Sequence, residues 1–207
     1  MVQQKQRSPG RPRQAEASIP TKSVILKAAT QLFLNQGYQN VSIDQVASSV
    51  KMTNATVYYY FQSKAELFKV SMVEMMQRIN IQMNRILDAD QPLRERLTTI
   101  AEVHLKATVS LNMNSLTRES RNELSEQQQE AIRRAEQTMY DSIESALRRA
   151  SESGEIPPIN HLFAAYTYIH LLTIGNLKRF DGPPLFESAK QAAEAIMAVF
   201  WNGFFNR

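Results

Sequence analysis

Between Val41 and Phe68 the chain carries three helix-start signals in 22 residues, and no other feature limits its fold as sharply. "SIDQ" at 42–45 pairs a Ser able to cap a helix with a Gln at the third helical position, and "SKAE" at 63–66 repeats the arrangement with Glu. Thr53 is an N-cap candidate between them. A helix opened at Ser42 can run only to about Val50, and one opened at Thr53 only to about Tyr60. Two short capped helices joined by a turn of three to four residues form a helix-turn-helix. Upstream, Ile25, Ala28, Ala29, Leu32 and Phe33 recur at helical spacing and Gly37 supplies a stop.

The remainder is read as helical too, giving an all-α protein of about nine helices. A fourth helix, about 64–87, carries Phe68, Met72, Met75, Ile79, Met83 and Ile86 as one stripe. Pro92 opens a fifth, residues 115–124 form a short sixth, and 126–152 a seventh whose outer side holds the i,i+4 pairs Glu130–Arg134 and Glu144–Arg148. From Leu162 to Leu177 apolar residues occupy nearly the whole circumference. The final helix carries two stripes, one through Ala192, Ile196, Val199 and Gly203, the other through Ala193, Met197, Phe200 and Phe204. A helix at the end of a chain has little protein left to cover a second apolar face, so either it is a central core helix buried inside the monomer or, as favoured here, a partner subunit covers it. Leu171, Ile174, Ile196, Val199, Phe200 and Gly203 are the expected interface residues. The domain division is a basic arm over 1–20, a three-helix domain carrying the helix-turn-helix over 21–68, and a larger helical domain over 69–207.

Charge supports that division. Residues 1–70 hold nine Lys/Arg against three Asp/Glu, and the rest fifteen against seventeen, so the N-terminal third is the part suited to a polyanion. The chain has no cysteine and three histidines without metal-ligand spacing, so neither metal nor cofactor is expected. No nucleophile–base pairing, buried carboxylate pair or phosphate loop is legible, which argues against an enzyme. The most apolar run, "HLFAAYTYIHLLTIGNL", is too short and too polar to span a membrane. With no apolar stretch near its N-terminus, the protein is read as cytoplasmic.

In a helix-turn-helix the second helix enters the major groove by its N-terminus. Thr53, Asn54, Ala55 and Thr56 form that leading turn, small enough for close approach, and Asn can read adenine through two hydrogen bonds. Tyr58 and Tyr59 can place hydroxyls on phosphates, and Lys64 adds a cation at the next helix start. Tyr60 and Phe61 are expected to point into the core. In the arm, "GRPR" brings Arg11 and Arg13, which suit a narrow minor groove.

Residues 25–68 resemble the DNA-binding domain of the tetracycline-repressor (TetR) family. Phe33, Gly37, Tyr38, Ser42, Val46, Ala47, Thr56, Tyr58, Tyr60, Phe61, Ser63, Lys64, Glu66 and Leu67 stand in that family's order and spacing. The match adds Ser42 to the expected DNA-binding set. Where the family usually has Gly, before the recognition helix, this chain has Lys51; a left-handed conformation there disfavours a non-Gly residue by about 1–2 kcal/mol, and Lys51 is a further phosphate-contact candidate. Asn54 stands where the family often has Lys. The resemblance implies a homodimer on a palindromic operator, most simply a repressor released by a small molecule bound among the later helices. Met72, Met76, Met83, His104, Met113, Tyr140, Tyr166 and His170 are the pocket candidates, and their chemistry suits a largely apolar effector. The competing reading is a helix-turn-helix activator, or a nucleoid or division factor working through protein contacts.

Overall fold

A computed structural model describes residues 20–109, 120, 122–177 and 182–205. Among these there are eight helices and no strand: α1 Thr21–Gln36, α2 Ile43–Ser49, α3 Asn54–Tyr60, α4 Lys64–Leu87, α5 Leu93–Thr108, α6 Glu126–Glu152, α7 His161–Leu172 and α8 Ala189–Phe204. The all-α reading holds. The arm with Arg11 and Arg13, Met113, and most of the short segment expected over 115–124 lie outside the described residues.

The helix starts follow the signals. Ser42 and Gln45 close a full capping box, with Gln45 N–H donating to Ser42 Oγ at 3.1 Å and Ser42 N–H to Gln45 Oε1 at 2.7 Å. Thr53 Oγ1 accepts from Thr56 N–H at 3.2 Å. The signal at 63–66 is only half realised. Ser63 Oγ caps α4, but the Glu66 carboxylate turns to Lys69, at 2.6 Å, and to the Gln128 amide, at 3.3 Å. Burial would raise the pKa of that carboxyl, and the hydrogen bonds from Lys69 and Gln128 overcome it and hold the group below its ordinary value.

Two apolar clusters form, and α4 runs through both. The first gathers α1, α2, Val57, Phe61 and the start of α4. Phe33, Tyr38 and Phe68 lock its centre, the Phe68 ring standing edge-on to the other two with centroids 5.0 Å away from each. Met72, beyond the expected boundary at 68, and Leu124, from just before α6, belong to this cluster as well. The second packs the end of α4 with α5, α6, α7 and α8 around the fully buried Tyr168, whose hydroxyl donates to Leu97 O at 2.6 Å. Between the clusters α4 has no buried residue from Val73 to Gln82, and Ile79, expected in the stripe, is exposed. There α4 meets α6 through a polar seam: Asn84 donates to Ser142 at 3.1 Å and Ser142 to Asn80 at 2.9 Å.

Helix α7 stops at Leu172, five residues short of the expected end. A turn brings Gly175 onto α5 so closely that a Cβ would sit 2.4 Å from a Leu105 methyl. Asn176 then donates to Leu105 O and Thr108 Oγ1. Pro92 precedes α5 as expected but supplies no side-chain cap. Glu155 does that from the turn after α6, accepting from the Leu93 N–H and pairing with Arg96, which donates in turn to Leu87 O at 2.6 Å. Glu155→Ala is therefore expected to lose about 1–2 kcal/mol, lowering the thermal midpoint by a few degrees in a calorimetric scan.

Candidate nucleic-acid interface

The recognition helix α3 has seven residues, too few to persist alone in water. Its Thr53 cap holds one end, and Val57, fully buried, with Phe61 just past the other end, plugs it into the first cluster. Asn54 and Ala55 are exposed at its tip and Thr56 is half-buried. Tyr59 is 83% exposed and Tyr58 51%. Tyr60 does not point into the core as expected: it is 38% exposed and stands edge-on to Tyr59, centroids 5.1 Å apart. Three successive helical positions point about 100° apart, and Val57 with Phe61 already occupies the one inward direction. All three rings consequently line the outer surface.

Lys51 is the one described non-glycine residue with positive φ, at 55°. The turn is a Schellman motif, Met52 N–H reaching Ala47 O at 2.9 Å and Lys51 N–H reaching Ser48 O at 3.1 Å. Its position in the turn leaves the lysine exposed beside the α3 tip. Lys64, expected to add a cation at the next helix start, is half-buried in the first turn of α4. Its ammonium donates to Gln39 O at 3.2 Å and lies 4.4 Å from the centre of the Tyr38 ring. Burial lowers its pKa, an effect that Glu123 opposes. The side chain thus ties α4 to the loop after α1. Ser42, exposed, is occupied as a cap.

The sequence reading missed Asp44. It lies in the first turn of α2, where a carboxylate suits the helix dipole, and it accepts a hydrogen bond from the Asn54 side-chain amide across the motif. The signal was present in "SIDQ": the buried Ile43 and Val46 fix the helix face, leaving the intervening Asp outward.

The expected effector residues do not converge on one cavity. Met72 is buried in the first cluster and Met83 in the second. Met76 is half-buried on α4, and His104 is a half-buried residue of α5 whose pKa is lowered by burial. Tyr140, Tyr166 and His170 do meet: the two tyrosine rings stack at 4.2 Å, and His170 Nδ1 lies 2.8 Å from Tyr166 O. A cleft of about 520 Å³ lies between α4 and α6 and is lined by none of these residues but by Val73, Gln77, Glu130, Arg134 and their neighbours. A groove of about 370 Å³ along α7 includes Tyr166 and His170 with Leu171 and Ile174. Of the expected interface residues, Leu171 is half-buried and Ile174, Val199 and Gly203 are exposed, whereas Ile196 and Phe200, at 4% and 1% exposure, fill the core of their own protomer and are closed to a partner. The two stripes of the last helix thus merge inward, and only its Val199 side is left over.

Residues 25–70 match the family model described as bacterial regulatory proteins, tetR family. An uncharacterised HTH-type transcriptional regulator of Bacillus subtilis, YhgD, is 25% identical over 156 residues, 74% of this chain and 81% of that protein. Among solved structures, the transcriptional regulator FadR from Bacillus subtilis in complex with stearoyl-CoA superposes with a TM-score of 0.70 at 15% identity, covering 88% of this chain and 98% of FadR. AibR in complex with isovaleryl coenzyme A and operator DNA gives 0.63 at 23% identity, over 89% and 97%. At these identities the structural likeness establishes the fold.

Glycine reaches the conformation of Lys51 without the Cβ penalty, offset in part by its greater freedom when unfolded. Lys51→Gly is expected to stabilise the protein by about 0.5–1 kcal/mol, read as a raised thermal midpoint.

Proposed function

We propose that the chain, whose residues 25–70 match the model for bacterial regulatory proteins of the tetR family, is a TetR-family regulator that acts in the cytoplasm as a homodimeric repressor whose hold on a palindromic operator is released by a small, largely apolar effector. The observation that carries the DNA-binding part is Tyr59, a large ring 83% exposed on a two-turn helix whose tip presents Asn54 and Ala55. Packing gives that ring no reason to be there. A tyrosine hydroxyl on a phosphate does, and such a contact fixes position without selecting sequence. Residues 21–68 serve as the reading head, with the arm over 1–20 alongside, and 69–207 as the effector and dimerisation part.

A second copy of the chain is the partner suited to the apolar residues left open on α7 and α8. Phe163 is 62% exposed and Val199 63%, with Leu162 and, in the turn after α7, Ile174 also exposed. A two-fold axis there would set two α3 helices on half-sites about 34–36 Å apart. For the effector, the α4–α6 cleft and the Tyr140–Tyr166–His170 stack are the two candidate seats, both against helices that reach the reading head or the open face. Because FadR and AibR were solved with acyl-CoA thioesters, those compounds are sensible first probes of release. A ligand that empties the operator must favour one state by about 10⁴-fold.

Enrichment of random duplexes on the purified chain tests the reading directly. Tyr59→Ala is expected to weaken every selected site by a similar factor with helicity unchanged, while Asn54→Ala alters the selected motif more than overall affinity. Absence of any enriched sequence, and of a gel shift on DNA beside the chain's own gene, would favour action through protein contacts instead. Val199→Asp is expected to convert the dimer to monomer in sedimentation velocity and, with one half-site per particle, to lose most operator affinity.

A further inference from the structure

The Asn54 amide has two N–H groups and one carbonyl oxygen, and Asp44 takes one of those N–H groups. What is left facing outward is one donor and one acceptor. Adenine presents the complement in the major groove, an N6–H donor beside the N7 acceptor. An unrestrained Asn side chain turns readily about its terminal torsion and offers those two groups in either order. A carboxylate accepts only, so the Asp44 contact selects one order. Asp44 is itself held in place: it sits inside the Ser42–Gln45 capping box, between the buried Ile43 and Val46.

We propose that Asp44 is a specificity-determining positioning residue, which orients the Asn54 amide across the two helices of the motif so that its free N–H and carbonyl read adenine at one operator position. The proposal rests on the DNA-binding reading above and adds a residue to it. A carboxylate on a surface meant for phosphates weakens general attraction; the gain is a fixed donor–acceptor order at the leading turn. In a repressor of this kind, part of the sequence preference thus resides on α2, outside the helix that enters the groove.

The test uses the full chain, first in random-duplex enrichment and then in anisotropy titrations on the selected site and its single-base variants. Wild type, Asn54→Ala, Asp44→Ala, Asp44→Asn and the Asp44→Ala/Asn54→Ala double variant are compared, with helicity checked by circular dichroism. Asp44→Ala is expected to reduce discrimination at the same base pair that Asn54→Ala affects, by about fivefold or more. The double variant should lose no more than Asn54→Ala alone. Asp44→Asn, whose amide can turn either an acceptor or a donor to Asn54, should relax the preference at that base pair, though less than Asp44→Ala does. A uniform rise in affinity for all sequences with Asp44→Ala would mean the carboxylate only repels phosphates, and would overturn the proposal. So would a changed preference at a different base pair, or no change at all. If the wild type enriches no sequence, the regulatory reading itself fails, and the Asp44 assignment with it.

Discussion

Two seven-residue helices carry the part of this molecule proposed to meet DNA, and helices of that length are not stable on their own: a costly nucleus is spread over too few hydrogen bonds. Their persistence rests on side-chain caps at Ser42 and Thr53, and on a few buried groups that fasten them to α1 and α4. Ile43, Val46 and Ala47 do this for α2, and Val57 with Phe61 for α3. The Phe33–Tyr38–Phe68 triad then fixes the whole assembly to the first turns of α4. Loss of a cap here would be felt more than in a long helix, because no other turn is available to compensate.

Helix α4 links this head to the second cluster, but in its middle stretch it is held to α6 by the Asn80–Asn84–Ser142 seam and bordered by a cleft rather than by apolar packing. Contacts from beyond α5 also reach the head: Leu124 is buried in the first cluster, and Gln128 donates to Glu66. The Gln128–Glu66 hydrogen bond on α6 and Leu124 just before it are thus physical links between α6 and the head, in addition to α4 itself.

The local starts of the helices could be read from the sequence, because a cap is encoded within four residues. Ser42–Gln45, Thr53 and Gly37 all lie where their neighbours predict, and the left-handed Lys51 stands where the family resemblance implies a glycine. What failed depended on distant partners. Glu66 left its capping box because Lys69 and Gln128 compete for it. The missing cap of α5 came from Glu155, 62 residues beyond Leu93. Tyr60 turned outward because Val57 and Phe61 had filled the interior direction. Helical spacing reveals a stripe but not how many neighbours surround it, so Ile196 and Phe200 carry the pattern of an interface and yet are buried in their own protomer. Residue type suggests an effector pocket but does not say whether a Met closes a core or lines a cavity; Met72 and Met83 close cores.

Among the seven residues of α3, only Val57 is buried. The other six are under little obligation to the interior, so substitutions among them alter what the helix touches with slight effect on whether the protein folds. Chains of this design can therefore drift from one target sequence to another by single exposed replacements, without passing through unfolded intermediates. The replaceable edge and the load on the fold are borne by different atoms.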